Sequence, residues 1–119
     1  MKDDIRSFRD LKVWQKGIEL VKNVYAMTKL FPKEEQYGLS MQIRRAAVSI
    51  PCNIAEGYRR RHIKEYKQFI NIALGSCSEL ETQAVIAKEL DYIDKKREDS
   101  LIELIDYVCR MLVNLSKRL

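Results

Sequence analysis

The sequence predicts an all-α chain: an antiparallel up-down-up-down four-helix bundle whose second helix is kinked. Three observations carry that prediction. Apolar residues recur at spacings of three and four along four long stretches, the pattern of amphipathic helices. Short polar connections separate the stretches, so consecutive helices must double back on one another. Only four glycines and two prolines occur in 119 residues, which argues against a barrel, a sandwich or a disordered chain. The length fits one domain spanning residues 1–119, and a hydrophobic content of 46% supplies one core.

The first helix is expected at approximately residues 11–30. Its stripe is Leu11, Trp14, Ile18, Val21, Tyr25 and Thr28, and Asp10 can cap its start. A rise of 1.5 Å per residue makes it a rod of roughly 30 Å. It ends at Phe31-Pro32, because the residue before a proline is pushed out of the α region. KEEQYGL, residues 33–39, then reads as a turn.

The second helix is expected at approximately residues 41–56, with Ser40 as its cap and Ile43, Ala47, Ile50 and Ile54 facing inward. Pro51 falls inside that pattern, where it deletes one backbone hydrogen bond and crowds the Ala47 carbonyl. The stripe continues past it, which predicts a kink and no break. Gly57 stands where a C-terminal cap is wanted.

The third helix starts after His62, at approximately residues 63–89, with Glu65 in the capping-box position. Its inner face is Tyr66, Phe69/Ile70, Ala73, Cys77, Leu80, Ala84 and Ala87. After the polar turn DYIDKKRED, a fourth helix at approximately 96–117 carries Leu101, Leu104/Ile105, Val108, Leu112, Leu115 and Leu119.

The outward faces of the two middle helices are unusual. Arg45, Val48, Ser49, Cys52, Ala55 and Glu56 lie away from the second helix's stripe, and Asn71, Gly75, Ser78 and Thr82 lie opposite the third's. A solvated face normally carries long charged side chains. Glycine inside a helix also costs roughly 1 kcal/mol relative to alanine. Small uncharged residues there point to close approach by another subunit, with an ordinary solvated face as the competing reading.

The chain carries a net charge of +5, and its location matters more than its size. Residues 40–70 hold Arg44, Arg45, Arg59, Arg60, Arg61, Lys64 and Lys67 against Glu56 and Glu65, so this segment alone contains the whole excess. A localised excess creates a field that an anionic partner can feel. Tyr58, and with less room Tyr66, flank the run and could stack on unpaired bases. The competing reading is a solvated turn in which Glu56 and Glu65 neutralise the arginines locally.

Chemistry-bearing constellations are scarce. His62 is the only histidine, so a two-histidine metal site is excluded, and as a base it would need a thiol within reach. Its plainer role is a weak helix cap. Cys52, Cys77 and Cys109 are far apart in sequence and form no C-x-x-C pair, so they read as small buried apolar residues of a reduced compartment. Neither Gly57 nor Gly75 matches a phosphate-gripping loop. Glu79 and Glu81 point to different helix faces, and Glu103 and Asp106 share a polar one. The expectation is a chain with no catalytic residues, metal or cofactor. No apolar run approaches the ~18 residues that span a bilayer, and MKDDIRSFRD is too charged for a secretory leader, so a cytoplasmic protein is expected.

FRDLKVWQKGIEL, QIRRAAVSIPCNIAEGYRRRHIKEYKQF and ALGSCSELETQ resemble the small four-helix-bundle proteins encoded in intervening sequences of bacterial 23S ribosomal RNA genes. The resemblance runs from about Phe8 to the last helix. It implies an antiparallel bundle assembling as a cyclic homopentamer. The chain is also similar to the accessory proteins of diversity-generating retroelements, which implies nucleic acid and a reverse transcriptase as partners. By position, Arg44, Arg45, Asn53 and Glu56 fall on the family's signature, and Arg60, Arg61, Lys64 and Glu65 on its basic turn. His62 departs from it, standing where the family usually has the better-capping serine or threonine.

The functional expectation is a non-enzymatic nucleic-acid-binding oligomer, with RNA favoured over DNA. Arg59, Arg60, Arg61, Lys64 and Lys67 lead its binding surface, with Arg44, Arg45 and Tyr58 second. Arg45, Ser49, Cys52, Asn53, Glu56, Gly75 and Ser78 are the expected subunit contacts. The alternative is an oligomeric adaptor that holds a nucleic-acid enzyme.

Overall fold

The structure is a computed structural model and describes residues 5–119. Its helices are α1 (Lys12–Thr28), α2 (Leu39–Tyr58), α3 (Ile63–Glu89) and α4 (Lys95–Arg118). Short 3-10 turns at Phe8–Asp10 and Lys33–Glu35 precede α1 and α2. Each helix packs on its neighbour in sequence, and α4 closes the ring against α1. The product is an antiparallel up-down-up-down four-helix bundle measuring 46 × 26 × 20 Å. Of the N-terminal stretch read as too charged for a leader, residues 1–4 lie outside the described residues.

The core is aliphatic. Leu20, Ile43, Ile50, Ile54, Ile70, Leu80, Ile105 and Leu112 are wholly excluded from solvent, each contributing about 1.5–3 kcal/mol of transfer free energy. The inner stripes of α2 and α4 are the ones their spacing predicts, and along α3 the stripe is buried from Ile70 to Ala87. On α1 the expected stripe is buried only at Thr28. The rest of the buried face is Val13, Gly17, Leu20, Val24 and Met27, whereas Leu11, Trp14, Ile18 and Val21 are only half-buried and Tyr25 is 40% exposed. This helix carries two apolar stripes about a quarter-turn apart, and spacing alone does not say which turns inward. Packing decides it: a β-carbon on Gly17 would stand only 3.4 Å from Pro51 Cβ, so α1 presses its glycine face onto the proline of α2. Trp14 in that place would hold the helices apart. Pro51 itself is buried, and α2 runs through it as a single helix.

Several helix ends differ from expectation. Asp10 does not cap α1; its carboxylate accepts from the Arg6 and Ser7 N–H groups and closes the preceding 3-10 turn. Ser40 is buried within α2, and the first N–H of that helix, at Leu39, donates instead to Glu35 Oε1 at 3.0 Å. Glu35 Oε2 also accepts from the Tyr92 hydroxyl at 2.7 Å, tying the start of α2 to the connection between α3 and α4. Gly57 is no left-handed cap, since no glycine has positive φ. It lies inside α2, and a β-carbon there would meet Phe69 Cβ at 2.9 Å and the Tyr66 carbonyl oxygen at 3.2 Å. Gly57 is needed because α3 comes too close for anything larger. His62 holds the N-cap position of α3 without a side-chain cap bond.

The cysteines divide. Cys77 is buried, and a hydrogen bond with Cys109 on α4, reinforced by burial, pushes its pKa up so that it stays a thiol. Cys52 is exposed, contrary to its reading as a core residue: it falls on the outer face of α2.

Candidate nucleic-acid interface

Antiparallel packing gathers helix ends that are remote in sequence. The starts of α1 and α3 and the ends of α2 and α4 meet at one end of the bundle. Arg9 and Lys12 come from the first, Lys64 and Lys67 from the second, Arg59 and Arg60 from the third, and Lys117 and Arg118 from the fourth, with Arg61 in the α2–α3 turn. The positive field of Arg118 reaches the Tyr66 hydroxyl, which places the last turn of α4 beside the first of α3. Burial, and then the neighbouring Tyr58, push the Tyr66 pKa up.

The cations of this end have two fates. Arg60 reaches back one turn to Glu56 at 3.1 Å and lies over the Phe69 ring at 4.7 Å, while Arg59 lies over Phe8 at 5.3 Å. Arg61 and Lys64 are exposed and Lys67 half-exposed, and among the described residues no salt bridge reaches any of the three. The Arg60–Glu56 pair is itself solvent-exposed, so it neutralises little.

The remaining expected binding residues are placed elsewhere or differently. Arg44 is half-buried as a clasp between α1 and α2: its Nε donates to Thr28 Oγ1 at 2.7 Å and its guanidinium lies 4.6 Å from the Tyr25 ring centre. Arg45 is exposed, but fourteen positions before Arg59 it stands roughly 20 Å away along α2. Tyr58 and Tyr66 are half-buried and pack edge to face, centroids 6.4 Å apart, so each exposes only part of its ring.

The expected subunit contacts also divide. Ser49 and Ser76 share a 2.8 Å hydrogen bond across the α2–α3 seam, and Asn53 Nδ2 donates to the Ser49 carbonyl and hydroxyl at 2.8 and 3.0 Å. These two therefore find partners within the chain. Arg45, Cys52, Gly75 and Ser78 are exposed, and a β-carbon on Gly75 would meet nothing within 4 Å. Ile72 and Ile86, 50% and 42% exposed, share a face of α3 with Gly75. Gln83 is buried on the same helix with its Oε1 lacking a partner.

Sequence reasoning missed Arg9, Lys12, Lys117 and Arg118 as members of the basic end. The signal was available: in an up-down-up-down bundle the starts of odd helices and the ends of even ones share an end. Among the described residues no group of three or more His, Cys, Asp or Glu side chains could hold a metal ion. No helix there is long and apolar enough to cross a membrane.

Comparison with known proteins agrees with this architecture. The family model described as 23S rRNA-intervening sequence protein matches residues 9–114, and the chain belongs to that family. A crystal structure of a protein of unknown function from the S23 ribosomal protein family of Bacteroides thetaiotaomicron VPI-5482 is similar in fold. It superposes with a TM-score of 0.82 at 23% identity, covering 88% of this chain and 98% of its own. No functionally curated protein matches the sequence.

Proposed function

We propose that this chain is a non-enzymatic, cytoplasmic nucleic-acid-binding protein that grips the phosphates of structured RNA through the basic end of its bundle, acting as a symmetric oligomer. The observation that carries the reading is the convergence of cations from all four helix ends, with Arg61, Lys64 and Lys67 in no salt bridge among the described residues. Crowding like charges at one place destabilises the folded chain unless a partner neutralises them. The family's description, with its reference to 23S rRNA, favours RNA over DNA. The face of α3 bearing Ile72, Gly75 and Ile86 supports assembly, since half-exposed isoleucines beside an uncovered glycine suit an approaching helix. A pentamer is the assembly that the family resemblance implies.

A salt titration of RNA binding tests the reading. Each neutralised phosphate contributes about 0.7–0.9 to the slope of log K against log salt concentration, so replacing Arg59, Arg60 and Arg61 by alanine should flatten the slope by roughly two to three. Absence of binding at low salt, or an unchanged slope, would overturn it. The same isoleucine face favours a second reading, an adaptor holding a nucleic-acid enzyme such as a reverse transcriptase. A solution mass separates the two uses of that face: a 14.0 kDa species alone ends self-assembly and leaves it to a protein partner, which a nuclease-resistant pull-down would reveal.

A further inference from the structure

We infer that the seam between α1 and α2 holds a second contact to nucleic acid: an unpaired nucleobase stacks on Tyr37 while the adjoining phosphate meets Arg45. The inference rests on the reading that the basic end binds RNA, and it specifies that the strand leaving that end is single.

The groove at this seam is lined by Tyr25, Tyr37, Met41, Arg44, Arg45 and Val48, and its volume of about 580 Å³ falls in the range of small-molecule pockets. Tyr37 is 79% exposed, which leaves a large aromatic surface that a stacked base would cover. Its neighbour Tyr25 is 40% exposed and already carries the Arg44 guanidinium on one face, a plane fixed from behind by Thr28. Rings and guanidinium planes together make the sequence-tolerant stacking platform of single-strand binders. Gln36, also in the lining, offers an amide to a base edge. Among the described residues no acid lines the groove and no salt bridge reaches Arg45, so its charge complements an anion.

A track joins the groove to the basic end. Met41, Arg45, Val48, Cys52, Ala55 and Arg59 follow one another at spacings of four and three, a single stripe of α2 without an acid. At its far end Cys52, Ala55 and Arg59 line a second groove with Phe8, over which Arg59 is held, and with Glu56, the one acid beside the track, whose carboxylate pairs with Arg60. The roughly 20 Å between Arg45 and Arg59 corresponds to about six stacked nucleotides at 3.4 Å each. Tyr37, exposed where Tyr58 is half-buried, offers the larger ring surface for stacking.

The test is fluorescence anisotropy with labelled single-stranded oligoribonucleotides of about four and about twelve nucleotides and a duplex of the longer length. Tyr37→Ala should weaken the longer strand by about fivefold or more, and leave the short strand, the duplex and the salt slope unchanged. Tyr37→Phe should bind as the parent does, because stacking needs the ring and not the hydroxyl. If Tyr37→Ala binds the long strand like the parent, this contact is wrong while the basic end stands. If the parent binds no RNA, both fall. If Tyr37→Ala changes the solution mass, the groove is a subunit contact, and if an acidic peptide displaces the long strand from Tyr37 without affecting the duplex, the occupant is a protein; either result overturns the inference.

Discussion

The two ends of the bundle use charge in opposite ways. At the end built from the α1–α2 and α3–α4 connections, Lys29, Lys33, Lys88, Lys95, Lys96 and Arg97 are balanced by Glu34, Glu35, Glu89, Asp91, Asp94, Glu98 and Asp99. The acids there do structural work: Asp94 caps α4 through the Arg97 N–H at 2.8 Å, Glu35 caps α2, and Glu98 and Asp99 each pair with Lys95 at 3.3 Å. At the other end α3 begins after His62 without a side-chain cap, and among the described residues only Glu56 of the acids pairs with an arginine of the turn. One end is neutralised and stapled. The other carries its charge largely unneutralised and leaves α3 without a side-chain cap, the arrangement on which the proposed RNA contact rests.

Exchanging charge between the ends gives the largest expected effect. Alanine at Arg59, Arg60 and Arg61 should lower RNA affinity at low salt by about a hundredfold, whereas alanine at Lys95, Lys96 and Arg97 should change it less than about twofold, in parallel titrations. Equal losses from both would mean that net charge alone drives binding and the ends are not distinct.

Gly57→Ala comes next. Its new methyl meets Phe69 Cβ and the Tyr66 backbone, neither of which can swing aside, so we expect a loss of about 2 kcal/mol in denaturant unfolding. An unchanged midpoint would show that the α2–α3 contact at the basic end is loose. Gly17→Ala makes the contrast, because its methyl reaches only ordinary contact with Pro51 and the gain in helix propensity should stabilise the fold by up to about 1 kcal/mol.

The caps give smaller, opposite effects. Asp94→Ala should cost about 1 kcal/mol, and His62→Ser should gain up to about 1 kcal/mol, since His62 already has the extended backbone an N-cap requires. A gain that weakens RNA binding would show the uncapped turn to be functional.

The last test is in pH. The Tyr92 hydroxyl first, and the Leu39 N–H second, hold the Glu35 carboxyl below its ordinary value of 4.5. A folded pKa below the unfolded one means that the contribution is complete above about pH 4.5 and fades as the pH falls through the folded value. Glu35→Gln should therefore flatten the acid limb of the stability profile. A limb of unchanged steepness would assign acid sensitivity to other carboxylates.

Four amphipathic periods with short connections determined the bundle, because helical spacing and antiparallel return follow from local sequence alone. The stripe of α2 was legible for the same reason: it carries one apolar face, and its spacing continues across Pro51. The charge excess of residues 40–70 was equally plain, being a matter of counting. What the sequence could not decide was which of two apolar faces α1 turns inward, that Gly57 answers to Phe69 instead of ending a helix, or that Glu35 and not Ser40 caps α2. Each depends on a residue contributed by another element. Tertiary packing likewise added Arg9, Lys12, Lys117 and Arg118 to the basic end, held Arg44 against Tyr25 and Thr28, and left Tyr37 exposed where Tyr58 is half-buried. Local sequence sets the period of a helix; only its neighbours set the rotation and the ends.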